Sequence, residues 1–198
     1  TPLFFAILLY TVDIFMRGGL NMAGTFVEFF SDEALENVMC LLQYKPDRVI
    51  YLGMKATMLT RKMESLQAFA AIRSPETILE FIEVPRDDLD ECIATLQEIS
   101  DEYPDAYYEL TGGNEMILIA FGYISAQKKL KCLRIAPFTS PEITLGPDGN
   151  ITTRQYNINM TVRENIILHG GLLTNQTGNY SSWKFTDEFK ADIRDIWE

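Results

Sequence analysis

The chain has 198 residues, 47% of them hydrophobic, enough for one packed domain and part of a second. A formal charge of -11 excludes broad, sequence-independent contact with duplex DNA or anionic lipid, since both demand surplus lysine and arginine. A local anion site stays open, because main-chain N–H groups at a helix start bind phosphate without net positive charge.

The chain opens on "TPLFFAILLYTVDIFMRGGLN", apolar from Leu3 to Met16 apart from Thr11 and Asp13. That run is too short for a comfortable membrane span and lacks the basic region and cleavage site of a signal peptide. With Met22 just ahead of the first clean strand, residues 1–21 read as an upstream extension foreign to the domain that follows. An interfacial helix or an extra packing element is the alternative.

From Gly24 onward, short strand-like runs alternate with helix-length amphipathic runs, the sign of a parallel α/β sheet. "TFVEFF" predicts a first strand, and "SDEALENVMCLLQY" a helix capped by Ser31 with Ala34, Leu35, Val38, Leu41 and Leu42 at helical spacing. "DRVIYLG" predicts a second strand ending at Gly53, followed by the helix "MLTRKMESLQAFAAI" with Leu59, Met63, Leu66 and Phe69 or Ala70 inward. "ETILEFIEV" is a third strand broken by Pro85, and "LDECIATLQEISDEY" a third helix with Leu89, Cys92, Ile93 and Leu96 inward. Its acidic residues form a solvated face. "AYYEL" and "LKCLRIAPF" are the fourth and fifth strands, flanking the helix "NEMILIAFGYISAQ".

After Pro137, "EITLGPDGNITT" predicts a hairpin turned at Gly146-Pro147-Asp148-Gly149. "TVRENIILHGG" reads as a short helix capped by Thr161, and "FTDEFKADIRDIWE" as an amphipathic helix capped by Thr186, with Phe189, Ile193 and Trp197 at four-residue steps. The expected fold is therefore α/β: a Rossmann-like, doubly wound, mostly parallel sheet with a C-terminal β-hairpin and the start of a small winged-helix-like module. The expected division is an extension at 1–21, a Rossmann-like domain at 22–155 and a helical module from 156 to 198 that continues beyond the chain.

Cys40, Cys92 and Cys132 are odd in number, widely spaced and set among apolar residues. They read as reduced, buried thiols of a cytoplasmic protein, and no CxxC pair suggests zinc. Four sequons, at Asn150, Asn159, Asn175 and Asn179, would matter only after secretion. His169 is the one histidine and marks a helix end, so no histidine-based metal cluster exists. Glu188-x-Lys190 formally matches half of a nuclease motif but sits on an amphipathic helix without an upstream strand carboxylate. Neither GxGxxG nor a P-loop occurs, which weakens NAD and ATP readings.

In a doubly wound sheet, ligands bind outside the carboxyl ends of the strands, where loops and helix N-termini converge. Three turns lie there: "FFSDE", "YLGMKAT" and "ELTGGNE". They offer the side chains of Ser31, Asp32, Glu33, Met54, Thr57, Thr111, Asn114 and Glu115, the cation Lys55, and close backbone approach at Gly53, Gly112 and Gly113. Such a set suits a polar anionic ligand. The same residue types also cap helices and form turns in any α/β protein.

"ELTGGNEMILIA" resembles the T-G-G-[TN]-K-x-M-x-x-A signature of CARF domains, matching Thr111, Gly112, Gly113, Asn114 and Ala120, with Ile117 at the Met position. "FFSDEALENV" is similar to the S-x-Q-x-x-x-N turn of the Card-type CARF nuclease family, matching Ser31 and Asn37 with Glu33 for Gln, and "KPDRVIYLG" resembles that group's second strand. The resemblance spans about residues 24–175. It implies a Rossmann-like sensor of cyclic oligoadenylates in type III CRISPR antiviral defence, taking that ring as its activating ligand and needing no other cofactor. It further implies a homodimer with two copies of these turns in one pocket, coupled to a C-terminal metal-dependent nuclease outside this chain. Membrane contact and direct nucleic-acid binding by the domain are not expected. Some such domains slowly cleave their ligand by aligning a ribose hydroxyl with the adjacent phosphate, and here Ser31, Lys55 or Asn114 would serve. Glu115 departs from the pattern, standing where the signature carries Lys. Two other classes are compatible with the same turns: a Rossmann-like nucleotide-binding enzyme, for which no base or nucleophile pair stands out, and a ligand-responsive transcription regulator. The second is weakened by the scarcity of basic residues after position 160, where only Arg163, Lys184, Lys190 and Arg194 occur.

Overall fold

The computed structural model of the protein describes residues 24–135, 141–156 and 159–171. Residues 1–21 and the helix expected at "FTDEFKADIRDIWE" lie outside the described residues. Strands β1 (Thr25–Phe29), β2 (Arg48–Gly53), β3 (Ile78–Glu83), β4 (Tyr107–Glu109), β5 (Lys131–Arg134), β6 (Glu142–Leu145) and β7 (Ile151–Arg154) form one sheet in the order β3-β2-β1-β4-β5-β6-β7. Pairings from β3 through β5 are parallel, and β6 and β7 close the edge as an antiparallel hairpin. β2 reads RVIYLG and is buried throughout after Arg48, the continuous apolar pattern of a strand covered on both faces. The Rossmann-like expectation holds, hairpin included, with the hairpin turned at Gly146–Gly149, where Asp148 Oδ1 accepts the Asn150 N–H at 3.1 Å.

Helices cover both faces. α1 (Met39–Gln43), α2 (Thr60–Arg73) and α5 (Val162–Leu168) pack on one side, with Phe26, Tyr51, Leu66, Phe69 and Leu168 in the core. α3 (Leu89–Glu102) and α4 (Glu115–Lys128) pack on the other, against Val27, Ile50, Leu96, Tyr108 and Phe121. α3 starts at Asp88, whose carboxylate accepts the Glu91 N–H, and its acidic residues face solvent. α5 starts with the expected cap: Thr161 Oγ1 accepts the Glu164 N–H at 3.2 Å, and Glu164 Oε2 accepts the Thr161 N–H at 2.6 Å. Arg73 at the end of α2 donates to Glu164 Oε1 at 3.3 Å, tying the two helices together.

Two local expectations are corrected. The helix expected over 31–44 is a loop through Leu35, a 3-10 turn at Glu36–Val38, and α1. Asn37 causes this, because its amide donates to the Ser31 and Glu33 carbonyls at 2.9 and 3.3 Å and holds the preceding residues out of helical geometry. Ser31 caps no helix there. Leu59, expected inward, is 53% exposed, since it occupies the extended position before α2 where helical spacing does not apply. The three cysteines are buried free thiols, as expected. Among the described residues no helix is long and apolar enough to cross a membrane.

Candidate functional site

The chain runs β1, β2, β3 outward in one direction and then returns to place β4 on the other side of β1. That reversal is a topological switch point, and the crevice outside the carboxyl ends of β1 and β4 is where such sheets take ligands. The turns "FFSDE" and "ELTGGNE" emerge there, and they touch. A methyl group placed on Gly112 would stand 2.2 Å from the Phe29 carbonyl oxygen and 3.0 Å from Ser31 Cβ. Gly113 has φ +94, a left-handed conformation, and a methyl there would meet Phe29 Cβ at 2.7 Å. These glycines let the β4 turn lie directly on the end of β1.

Each candidate side chain has a local task. Ser31 Oγ donates to Glu36 Oε2 at 2.5 Å and accepts the Glu33 N–H at 3.1 Å, while the Ser31 N–H donates to Asn37 Oδ1 at 2.7 Å. The Ser31 and Asn37 pair matched from the family pattern is thus a turn lock, anchored below by the Tyr51 hydroxyl donating to the Asn37 carbonyl at 2.8 Å. Thr111 points inward, its hydroxyl bonded to Glu109 and to the main chain of Ile135. Asn114 caps α4, its side-chain oxygen accepting the Ile117 N–H at 2.9 Å. Glu115 is exposed on the first turn of that helix, where an acid suits the dipole. With their side chains spoken for, the groups that Thr111 to Asn114 present outward are main-chain ones at a helix start.

The remaining candidates separate onto two neighbouring cavities. Asp32 pairs with Lys62 at 2.7 Å and, with Glu33, lines a cavity of about 450 Å³ between the β1 turn, α2 and the end of α5, where Arg61 and His169 also lie. Met54 and Lys55 line another of about 470 Å³ beside the end of β3, with Glu83, Arg86 and Glu91. Gly53 is closed off by Phe30 and Met58, and Thr57 Oγ1 donates to the Met54 carbonyl at 2.9 Å. The structure therefore brings Ser31, Gly112, Gly113 and Asn114 to the switch point and places Lys55 and Thr57 to one side.

Two residues escaped sequence reasoning. Glu28 and Glu109 sit side by side in register on β1 and β4, each 1% exposed, beneath the two turns. The signal was present: an acid in the middle of "TFVEFF" and at the end of "YYEL", in strands otherwise apolar on both faces. Burial pushes the Glu109 carboxyl up to about 7, against the hydrogen bonds from Thr111 and Ile135 that favour its charge. Burial first, and the neighbouring Glu109 second, raise Glu28 well above the ordinary carboxylate range.

Fold and crevice together define a Rossmann-like α/β domain with its candidate ligand turns at the β1/β4 switch point. No protein-family model matches the sequence, and no curated protein does. Among solved structures, Can2 from Sulfobacillus thermosulfidooxidans, in complex with cyclic tetra-adenylate, matches with a TM-score of 0.62 and 19% identity, over 88% of this chain and 48% of its own. Protein VC1899 from Vibrio cholerae matches with a TM-score of 0.61 and 16% identity, over 75% of this chain and 40% of its own. The chain spans less than half the length of either. It has their fold, the Rossmann-like arrangement that the resemblance to CARF domains implied.

Proposed function

We propose that the chain is a CARF domain that senses a cyclic oligoadenylate of type III CRISPR defence at the crevice between β1 and β4. The observation that carries this reading is the Thr111-Gly112-Gly113-Asn114 turn, laid on the Ser31 turn at the switch point and opening a 14-residue helix whose N-terminus faces that crevice. The shared fold with Can2, solved with cyclic tetra-adenylate, supports it. The ligand is read as an activator, and the nuclease it would control belongs to a longer parent protein. Calorimetry of the purified chain with cyclic tri-, tetra- and hexa-adenylate tests the reading: saturable binding of one ring is expected, and a folded protein that binds none rejects it. Glu115 is a liability in this site, since a carboxylate 4 Å from a phosphate costs about 1 kcal/mol in water. Glu115→Lys is accordingly expected to tighten ring binding at least about fivefold, and weaker binding would instead make the acid a ligand contact.

The domain acts as a homodimer in this reading, with α4 in the interface. Leu118, Ile119 and Tyr123 on α4 are 39%, 56% and 56% exposed, while Ile117, Ala120, Phe121 and Ile124 fill the core. A helix apolar on all sides is one that is covered on all sides. A second copy is the occupant that fits, because the stripe begins at the ligand turn and a ring of repeated adenylates calls for a repeated turn. Ile119→Glu is expected to convert a dimer to a monomer in sedimentation velocity at micromolar concentration. An unchanged dimer mass places the interface elsewhere.

A further inference from the structure

Glu28 and Glu109 share one layer of the sheet but not one environment. Glu109 Oε1 accepts the Thr111 N–H at 3.0 Å, the Ile135 N–H at 3.1 Å and the Thr111 hydroxyl. Neither oxygen of Glu28 finds a hydrogen-bond donor of ordinary geometry among the described residues, although the Cys40 thiol and main chain lie beside it. Neighbouring strands run about 4.8 Å apart, so two ionised carboxylates in register within an apolar layer repel strongly. The acid that already has three donors takes the charge, and the one with none keeps its proton.

Glu109 also links two segments. Thr111 belongs to the ligand turn, Ile135 directly follows β5, and the Thr111 hydroxyl itself bonds the Ile135 main chain, with both of those contacts at 3.0 Å. A ligand turn whose outward groups are main-chain ones needs its main chain fixed from behind, since orientation decides whether those N–H groups meet a ligand.

We propose that Glu109 is a positioning residue for the ligand turn: its carboxylate, ionised while Glu28 stays protonated, clamps Thr111 to Ile135 and sets the shape that the turn presents to the ring. The ring-binding consequence rests on the proposed function, whereas the clamp stands without it. The groups facing this pair are Glu36 from the 3-10 turn, Cys40 from α1, Tyr51 from β2 and Tyr156 after β7. Burial pushes the Cys40 thiol and the Tyr51 phenol well up, and that of Tyr156 up as well, which leaves Glu109 as the group of this layer that changes charge near neutrality.

The test is amide hydrogen-exchange protection at Thr111 and Ile135 across roughly pH 5.5 to 8.5, read beside cyclic tetra-adenylate affinity over the same range. In the parent chain, protection at both amides and ring affinity rise together as Glu109 ionises, with a midpoint near 7. Glu109→Ala lowers protection at both amides about tenfold or more while core amides such as Leu52 hold theirs, and it weakens ring binding by a similar factor. Glu28→Gln with Glu109→Gln leaves no acid in the layer and keeps carbonyl acceptors, so protection persists and its pH dependence disappears. Parent-level protection in Glu109→Ala, or an unchanged pH profile in the double variant, overturns the proposal. Should Glu109→Ala fail to fold, the double variant decides alone. If the parent chain binds no ring at any pH, the proposed ligand is wrong, while the protection factors still decide the clamp.

Discussion

Gly112→Ala is expected to lower the unfolding free energy by about 2–4 kcal/mol and to abolish the ring binding proposed above, because the added methyl cannot be housed. It would stand 2.2 Å from the Phe29 carbonyl oxygen, a main-chain atom that moves only if the end of β1 moves with it. The displacement would reach Ser31, whose Cβ lies 3.0 Å from the same point, and with it the lock between Ser31 and Asn37. Gly122→Ala is the internal control. It places a methyl in α4 where nothing lies within 4 Å, and helix propensity favours it by up to about 1 kcal/mol. Urea unfolding of both variants makes the comparison, and a Gly112→Ala protein within about 0.5 kcal/mol of the parent would refute the close-packing account.

The second large effect is on pH. Both buried carboxyls are raised from 4.5, Glu109 to about 7 and Glu28 well above the ordinary range, each chiefly by burial. In that window the folded state therefore holds more protons than the unfolded chain, and unfolding free energy falls as pH rises from 4.5 through 7. Acid conditions thus favour this pair, the reverse of the usual salt-bridged carboxylate. Glu28→Gln removes an acid that must take up a proton on folding above its ordinary range, and is expected to raise stability at about pH 8 by roughly 1–3 kcal/mol while flattening the pH dependence. Denaturant midpoints at acidic and alkaline pH measure it. A variant less stable than the parent under alkaline conditions would mean that Glu28 has a partner its neighbours do not reveal.

Most of the fold was legible because its elements are strongly patterned. β2 is an unbroken apolar run, α3 carries an amphipathic period, and the hairpin and the α5 cap announce themselves with Gly-Pro-Asp-Gly and Thr-x-x-Glu. The helix after β1 was misread because hydrophobic spacing does not show that the Asn37 side chain will bind the preceding main chain instead of leaving it to a helix. Leu59 was misplaced for a related reason, lying one residue before the helix whose period it was assigned. The turns of the candidate site were found by their residue types and their place after strands. What those residues do was not legible: Thr111 and Ser31 look like ligand groups in sequence and are bound to protein in three dimensions. Glu28 and Glu109 went unnoticed because pairing across strands far apart in sequence is what brings them together.

The burial of all three cysteines has a practical consequence for watching this protein work. Cys40, Cys92 and Cys132 are buried, and burial raises each thiol, so the reactive thiolate is scarce at neutral pH. A single cysteine introduced at an exposed site such as Lys55 would then be the preferred target of a maleimide dye, with no background to engineer away. Fluorescence from that one position, on the turn after β2 and to one side of the switch point, would report the ring binding and subunit exchange proposed above without a substitution in the core or in the turns after β1 and β4.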